Sequence, residues 1–195
     1  ARPASADASG CFAPGGGILV ADTGNSRVRR LTDVGEIPLP VRARSLSVAP
    51  VSGNVSVRPT DTPATIALRE PDLAPHRSVV DARSGSLTVG VLDAKGTHAK
   101  ATVSVGQFRL DSPRTGAVIA DLRLVEPIAC ATAKSTNATV KKKTRRLRIR
   151  VKGRFRTIGT YASAVASGTA WTITDACDRT VIKVTEGSVL VRNKR

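Results

Sequence analysis

Apolar and polar residues alternate with a period of two through much of the second half of the chain. In RRLRIRVKGRF, Leu147, Ile149 and Val151 fall on one side while Arg146, Arg148, Arg150 and Lys152 fall on the other, the pattern of a half-buried strand. Such a strand gives one face to a core and presents the other as a basic ridge. SLTVGVL and HAKATVSV flank Asp93-Ala94-Lys95-Gly96, a turn with Gly where a positive φ is needed, and predict a hairpin. Short strands separated by breakers are also predicted at NVSVRP, ATIAL, HRSVVDA, GQFRL and AVIADLRL, then through SAVASGTAWTIT, TVIKV and SVLVRN, with TDACDRT as a turn and another turn at Glu186-Gly187. No segment combines a 3.6-residue apolar period with helix caps, so helix content is expected to be low. The expected class is all-β, an antiparallel sandwich or stacked-strand domain.

The first third reads differently. Residues 1–17 are rich in Ala, Pro, Ser and Gly, too little apolar surface to offset the entropy of ordering, and a loose segment is expected. In GGILVADTGNSRVRRLT an apolar run at Ile18–Val20, a polar turn at Asp22–Asn25 and a strand at Arg27–Leu31 predict a hairpin. Pro38, Pro40 and Pro50 with small residues between them read as an extended linker. The division expected is 1–32, a linker over 33–53, and one β-domain over 54–195. Within that domain, Ile128–Thr144 is small, polar and basic and suits a solvated excursion between strands.

Composition narrows this picture. A chain of 195 residues can build one sizeable core, burying roughly 70% of its unfolded surface. With 3% aromatic residues and no Met, that core must rest on Val, Ile, Leu and Ala, which again favours strands. No apolar run approaches the ~20 residues of a membrane-spanning helix. The formal charge of +16 predicts attraction to polyanions, a description that nucleic acid, anionic lipid headgroups and anionic cell-wall polymers all satisfy. Between Pro127 and Thr174 there is no Asp or Glu, so the charge is a patch. Phe155, Tyr161 and Trp171 lie near it and suit stacking on bases, although large apolar groups this scarce are needed more by the core. The chain begins with Ala1, and ARPASADASG has neither a charged nor an apolar leader region, which leads us to expect that an upstream part has been removed.

No nucleophile elbow, phosphate loop or spaced acid pair is present. GVLDAKGT puts Lys95 before Gly96, the reverse of a phosphate loop, and is a turn. His76 and His98 read as solvated, and Asp175, Asp178 and Glu186 as turn residues, so no catalytic residue and no cofactor is expected. Three Cys and two His without a C-x-x-C pair give no metal site. Cys130 and Cys177 either form a disulfide, worth about 4 kcal/mol by loop closure and implying an oxidising compartment, or remain buried free thiols. Spacing leaves both open, and Cys11 is left over in either case.

Two resemblances add to this reading. Val20-Ala21-Asp22-Thr23-Gly24-Asn25 followed by Arg27-Val28-Arg29-Arg30 resembles the end of one blade of an NHL-repeat β-propeller. Because a blade cannot cover its own faces, this implies that the hairpin is the last piece of a propeller whose other blades lie upstream. Gly153, Phe155, Thr157, Gly159, Ala162, Gly168, Thr169 and Trp171, with Val184, Gly187, Val189 and Val191, resemble the pattern of FecR-like extracytoplasmic bacterial domains. That resemblance implies a β-rich sensing or scaffolding domain without a catalytic residue, and it favours a Cys130–Cys177 bridge. The cytoplasmic region and membrane span of FecR signal transducers have no counterpart here, so control of a sigma factor does not carry over.

The expected function is therefore a non-enzymatic binding, sensing or scaffolding module at a bacterial envelope, outside the cytoplasm. Its contact surface would be Arg146, Arg148, Arg150 and Lys152, and its partner an anionic envelope polymer or a protein. The alternatives are a nucleic-acid binder using the same face, and an accessory domain of an enzyme or receptor whose site lies in upstream blades.

Overall fold

The computed structural model describes the backbone strands Cys11–Phe12, Ile18–Asp22 and Arg27–Leu31, and residues 39–93, 95–113, 120–130 and 144–194. The chain divides into two compact units, Ala1–Glu36 and Ile37–Arg195. In the first, β1 (Cys11–Phe12), β2 (Ile18–Asp22) and β3 (Arg27–Leu31) form an antiparallel sheet. The expected hairpin is β2–β3, closed at Asp22 opposite Arg27. The segment expected to be loose contributes β1, whose pairing needs backbone groups only.

The second unit is all-β, with no helix among its described residues: β4 (Ser45–Arg58), β5 (Ile66–Ala67), β6 (Asp72–Pro75), β7 (Val79–Leu92), β8 (His98–Ser104), β9 (Gln107–Asp111), β10 (Ala120–Leu124), β11 (Arg145–Lys152), β12 (Arg154–Ile158), β13 (Ala162–Ser167), β14 (Ala170–Asp175), β15 (Thr180–Glu186) and β16 (Leu190–Asn193). They make one 13-stranded sheet that curls until its two halves face each other. The first layer runs β6-β4-β7-β8-β11-β14-β15 and the second β5-β4-β7-β9-β10-β12-β13-β16. Strands β4 and β7 belong to both. The second half of β7 pairs with β8 and its first half with β9.

The bend that carries them between layers lies where Gly53 faces Gly85, with register shifts on either side. Gly53 has φ +64°, and a Cβ there would stand 2.3 Å from the Ser84 carbonyl oxygen; a Cβ on Gly85 would stand 2.6 Å from that of Ser52. Only glycines let the two backbones cross so closely. This corrects the later part of the linker expected over 33–53, of which residues 33–38 lie outside the described residues. Residues 45–53 are the first part of β4, with Leu46 and Val48 fully buried, and Pro50 is accommodated beside a bulge rather than ending the strand.

The sheet is mixed rather than antiparallel throughout, because β10 and β12 pair in parallel. The chain leaves the second layer after β10, crosses the first as β11, and returns past Gly153 with its original direction. The predicted β7–β8 hairpin is present, its turn held by the Asp93 carboxylate accepting from the amides of Lys95 and Thr97 at 2.8 Å each. The expected turn at Glu186-Gly187 is instead a passage between layers. β15 pairs with β14, whereas β16 pairs with β13 on the far side.

Between the layers lies a core of Leu87, Val89, Leu147, Ile149, Trp171 and Ile173 from one side against Phe108, Leu110, Leu122 and Phe155 from the other, all fully buried. Trp171 spans the gap, its indole Nε1–H donating to Thr157 Oγ1 at 3.0 Å. Replacing Thr157 by Val strands that buried donor and is expected to cost about 1–3 kcal/mol in denaturant unfolding. Trp171→Phe in the same background should then recover part of the loss, because the orphaned N–H is gone.

Candidate functional site

Every second residue of β11 faces the core. Leu147 and Ile149 are fully buried and Val151 nearly so, and the register with β8 and β14 fixes the opposite face outward. Arg146, Arg148, Arg150 and Lys152 are all exposed on that outer face. The ridge is therefore formed as predicted, and the sheet extends it sideways. Arg148 lies between Thr172 and Ser104, with Lys183 beyond Thr172 and Ser86 and Ser52 beyond Ser104. At ordinary strand spacing this polar row runs about 24 Å across the layer. Ser52 and Ser86 hydroxyls meet at 2.7 Å within it. Lys100 stands directly opposite Lys152, a like-charged pair that an intervening anion would relieve.

One member of the ridge is not available. Arg150 makes two 2.6 Å hydrogen bonds to the Glu186 carboxylate across β14. Among the described residues, Arg146, Arg148, Lys152, Lys100 and Lys183 take part in no ion pair. Lys100 and Lys183 were not singled out from sequence. Alternation alone places both outward on their strands, but only the pairing order brings them beside β11.

The outer face of the second layer carries several arginine–carboxylate pairs. Arg109 is bidentate to Asp111, which Arg123 also approaches at 3.9 Å; Arg156 is bidentate to Asp121, and Arg83 to Asp81. The Arg83 guanidinium holds the Asp81 carboxyl below its usual value, while Asp121 does the converse for Arg156. Arg83, Arg109 and Arg156 on this face each hold a carboxylate, whereas the exposed Arg58, Arg154 and Arg192 of the same layer take part in no ion pair among the described residues. On the β11 face Arg150 is the one cation so held among the described residues.

The ridge is oriented by a buried polar node at its start. Arg145 and Asp175 are register partners on β11 and β14. Asp175 is wholly buried and its Oδ2 accepts from Arg145 Nε at 2.9 Å, from the Thr160 amide at 2.9 Å and from Thr160 Oγ1 at 3.1 Å, while Oδ1 accepts from Thr180 Oγ1 at 2.5 Å. Arg145 also donates to the Glu126 carbonyl and to Thr160 Oγ1, each at 2.8 Å. Asp175 is thus no turn residue but a satisfied buried anion. Gly159 makes room for it, since a Cβ there would lie 2.4 Å from Asp175 Oδ1. Nearby, Lys194 donates to the Gly159 carbonyl at 2.5 Å. Burial, then Arg123, Arg145 and Arg156, push the Lys194 amine below the usual lysine range against the opposing pull of Asp175.

Cys130 and Cys177 are joined in a disulfide with Cα atoms 5.6 Å apart. The Tyr161 hydroxyl donates to the Cys177 carbonyl, tying the bridge to the same node. Residues 131–143 and Cys11's side chain lie outside the described residues. Of the two histidines, His98 is exposed, whereas His76 accepts from the Ser112 amide at 2.9 Å and is structural rather than solvated. Phe155 and Trp171 are core residues; Tyr161 is 40% exposed. The chain matches no family model, no curated protein and no solved structure.

Proposed function

We propose that the second unit is a non-enzymatic binding module of a bacterial envelope that holds an anionic polymer on the outer face of β11 and its neighbours. The observation that carries this reading is the contrast between two faces of one domain. The second layer holds Arg83, Arg109 and Arg156 in ion pairs with Asp81, Asp111 and Asp121, while Arg146, Arg148, Lys152, Lys100 and Lys183, none of them ion-paired among the described residues, lie together on adjacent strands with a row of hydroxyls through them. Paired charges are already satisfied; unpaired ones attract and orient an external polyanion. The hydroxyl row suits the polyol or sugar portion of such a polymer.

The location outside the cytoplasm is supported by the disulfide, which persists in oxidising compartments, and by the resemblance to FecR-like domains. No helix among the described residues is long and apolar enough to cross a membrane. Single-stranded nucleic acid is the weaker reading, because Phe155 and Trp171 are buried and, among the described residues, no row of exposed aromatics accompanies the cations.

Replacing Arg146, Arg148, Arg150 and Lys152 together by Gln is expected to abolish retention on purified anionic cell-wall polymer at low salt. Unchanged retention would refute the assignment. A parallel gel-shift series at two salt concentrations with single- and double-stranded DNA separates the rival. Binding to either nucleic acid that is tighter than to the polymer, with the steep salt slope of counterion release, favours the nucleic-acid reading.

A further inference from the structure

The two ends of the curled sheet, β15 and β16, are consecutive in the chain and joined only by residues 187–189. Among the described residues, β15 pairs only with β14 and β16 only with β13, so both present a free edge on the same side of the domain. The residues lining this mouth belong by register to the core. Val184 is opposite the fully buried Trp171, and Val191 opposite the fully buried Ala164. Directly opposed residues share a face of the sheet. Yet Val184 is 41% and Val191 48% exposed, while Ile182 and Val189 reach the core only in part. The core is left open at the point where the two layers should close.

We propose that this mouth is a strand-addition site that takes an extended acidic peptide segment with apolar residues at alternate positions. Backbone pairing along a free edge supplies the affinity, and every second side chain of an added strand points between the layers, where Val184 and Val191 await a partner. Charge chooses the occupant. The outward positions beside the mouth are Val181 and Lys183 on β15 and Leu190 and Arg192 on β16, all exposed, and the charges among them are both positive, so acidic side chains alternating with the apolar ones complement the rim. A second copy of this chain would bring the same cations against themselves, and like charges opposed across strands destabilise pairing. The site shares Lys183 with the cationic field beside β11 but none of Arg146, Arg148 and Lys152.

The test uses the full chain and a fluorescent seven-residue peptide alternating Glu with Val, matched in length to β15, beside an equally charged peptide alternating Glu with Gly. Anisotropy is expected to saturate with the Glu/Val peptide alone. Val184→Asp and Val191→Asp should each weaken it by about tenfold or more, and Arg148→Gln should leave it unchanged. The exposed pair of changes Lys183→Glu and Arg192→Glu, which leaves the core untouched, should shift preference to a Lys/Val peptide. Equal binding of the two acidic peptides, saturation by neither, or a sedimenting dimer abolished by Val191→Asp would overturn the proposal.

Discussion

Replacing Arg145 by Met is expected to destabilise the domain by about 3–5 kcal/mol, because it leaves a buried carboxylate without its counter-charge. Asp175 has no exposed surface, and its remaining donors, the Thr160 amide and the Thr160 and Thr180 hydroxyls, are neutral. The double change Arg145→Met with Asp175→Leu should recover much of this loss, since an apolar pair of similar volume needs no desolvated charge. Denaturant unfolding of the single and double variants measures the coupling directly. If Arg145→Met alone unfolds within about 0.5 kcal/mol of the parent, a typical surface substitution, the node does not hold the start of β11.

The second large effect concerns the disulfide. Cys130 and Cys177 are separated by 47 residues, and opening a loop of that length by changing both to Ser is expected to cost about 4 kcal/mol. For a domain of this size that corresponds to a midpoint lower by roughly 8–16 °C, followed in the near-ultraviolet signal of Trp171. Reduction of the parent protein should reproduce the shift, and the Ser variant should show no further response to reductant. The bridge lies two residues beyond Asp175 and is gripped by Tyr161, so losing it should also loosen the turn that carries Thr180 to Asp175.

What sequence shows and hides here has a physical pattern. The β11 ridge was legible because a period of two needs no knowledge of neighbours. So was the Asp93–Gly96 hairpin, whose turn chemistry is local. Features that depend on the second layer were not. Pro50 and Gly53 read as linker residues, since nothing local shows that two long strands bend across each other there. Asp175 and Glu186 read as turn residues, although one is the buried partner of Arg145 and the other neutralises Arg150 across β14. That last pairing reduces the predicted ridge by one cation, while the strand order adds Lys100 and Lys183. The Cys130–Cys177 bridge was undecided by spacing and favoured by the FecR-like resemblance.

The central claim is that polyanion binding belongs to one face and not to the overall charge of +16. Two variants that each lose three positive charges separate these. Arg146, Arg148 and Lys152 are changed to Gln in one, and the exposed Arg58, Arg69 and Arg154 in the other. Binding of both to the same purified anionic polymer is then measured at one low salt concentration. The account predicts that the first variant loses retention while the second keeps nearly that of the parent. Equal losses in the two would contradict it, leaving attraction by net charge as the whole of the effect.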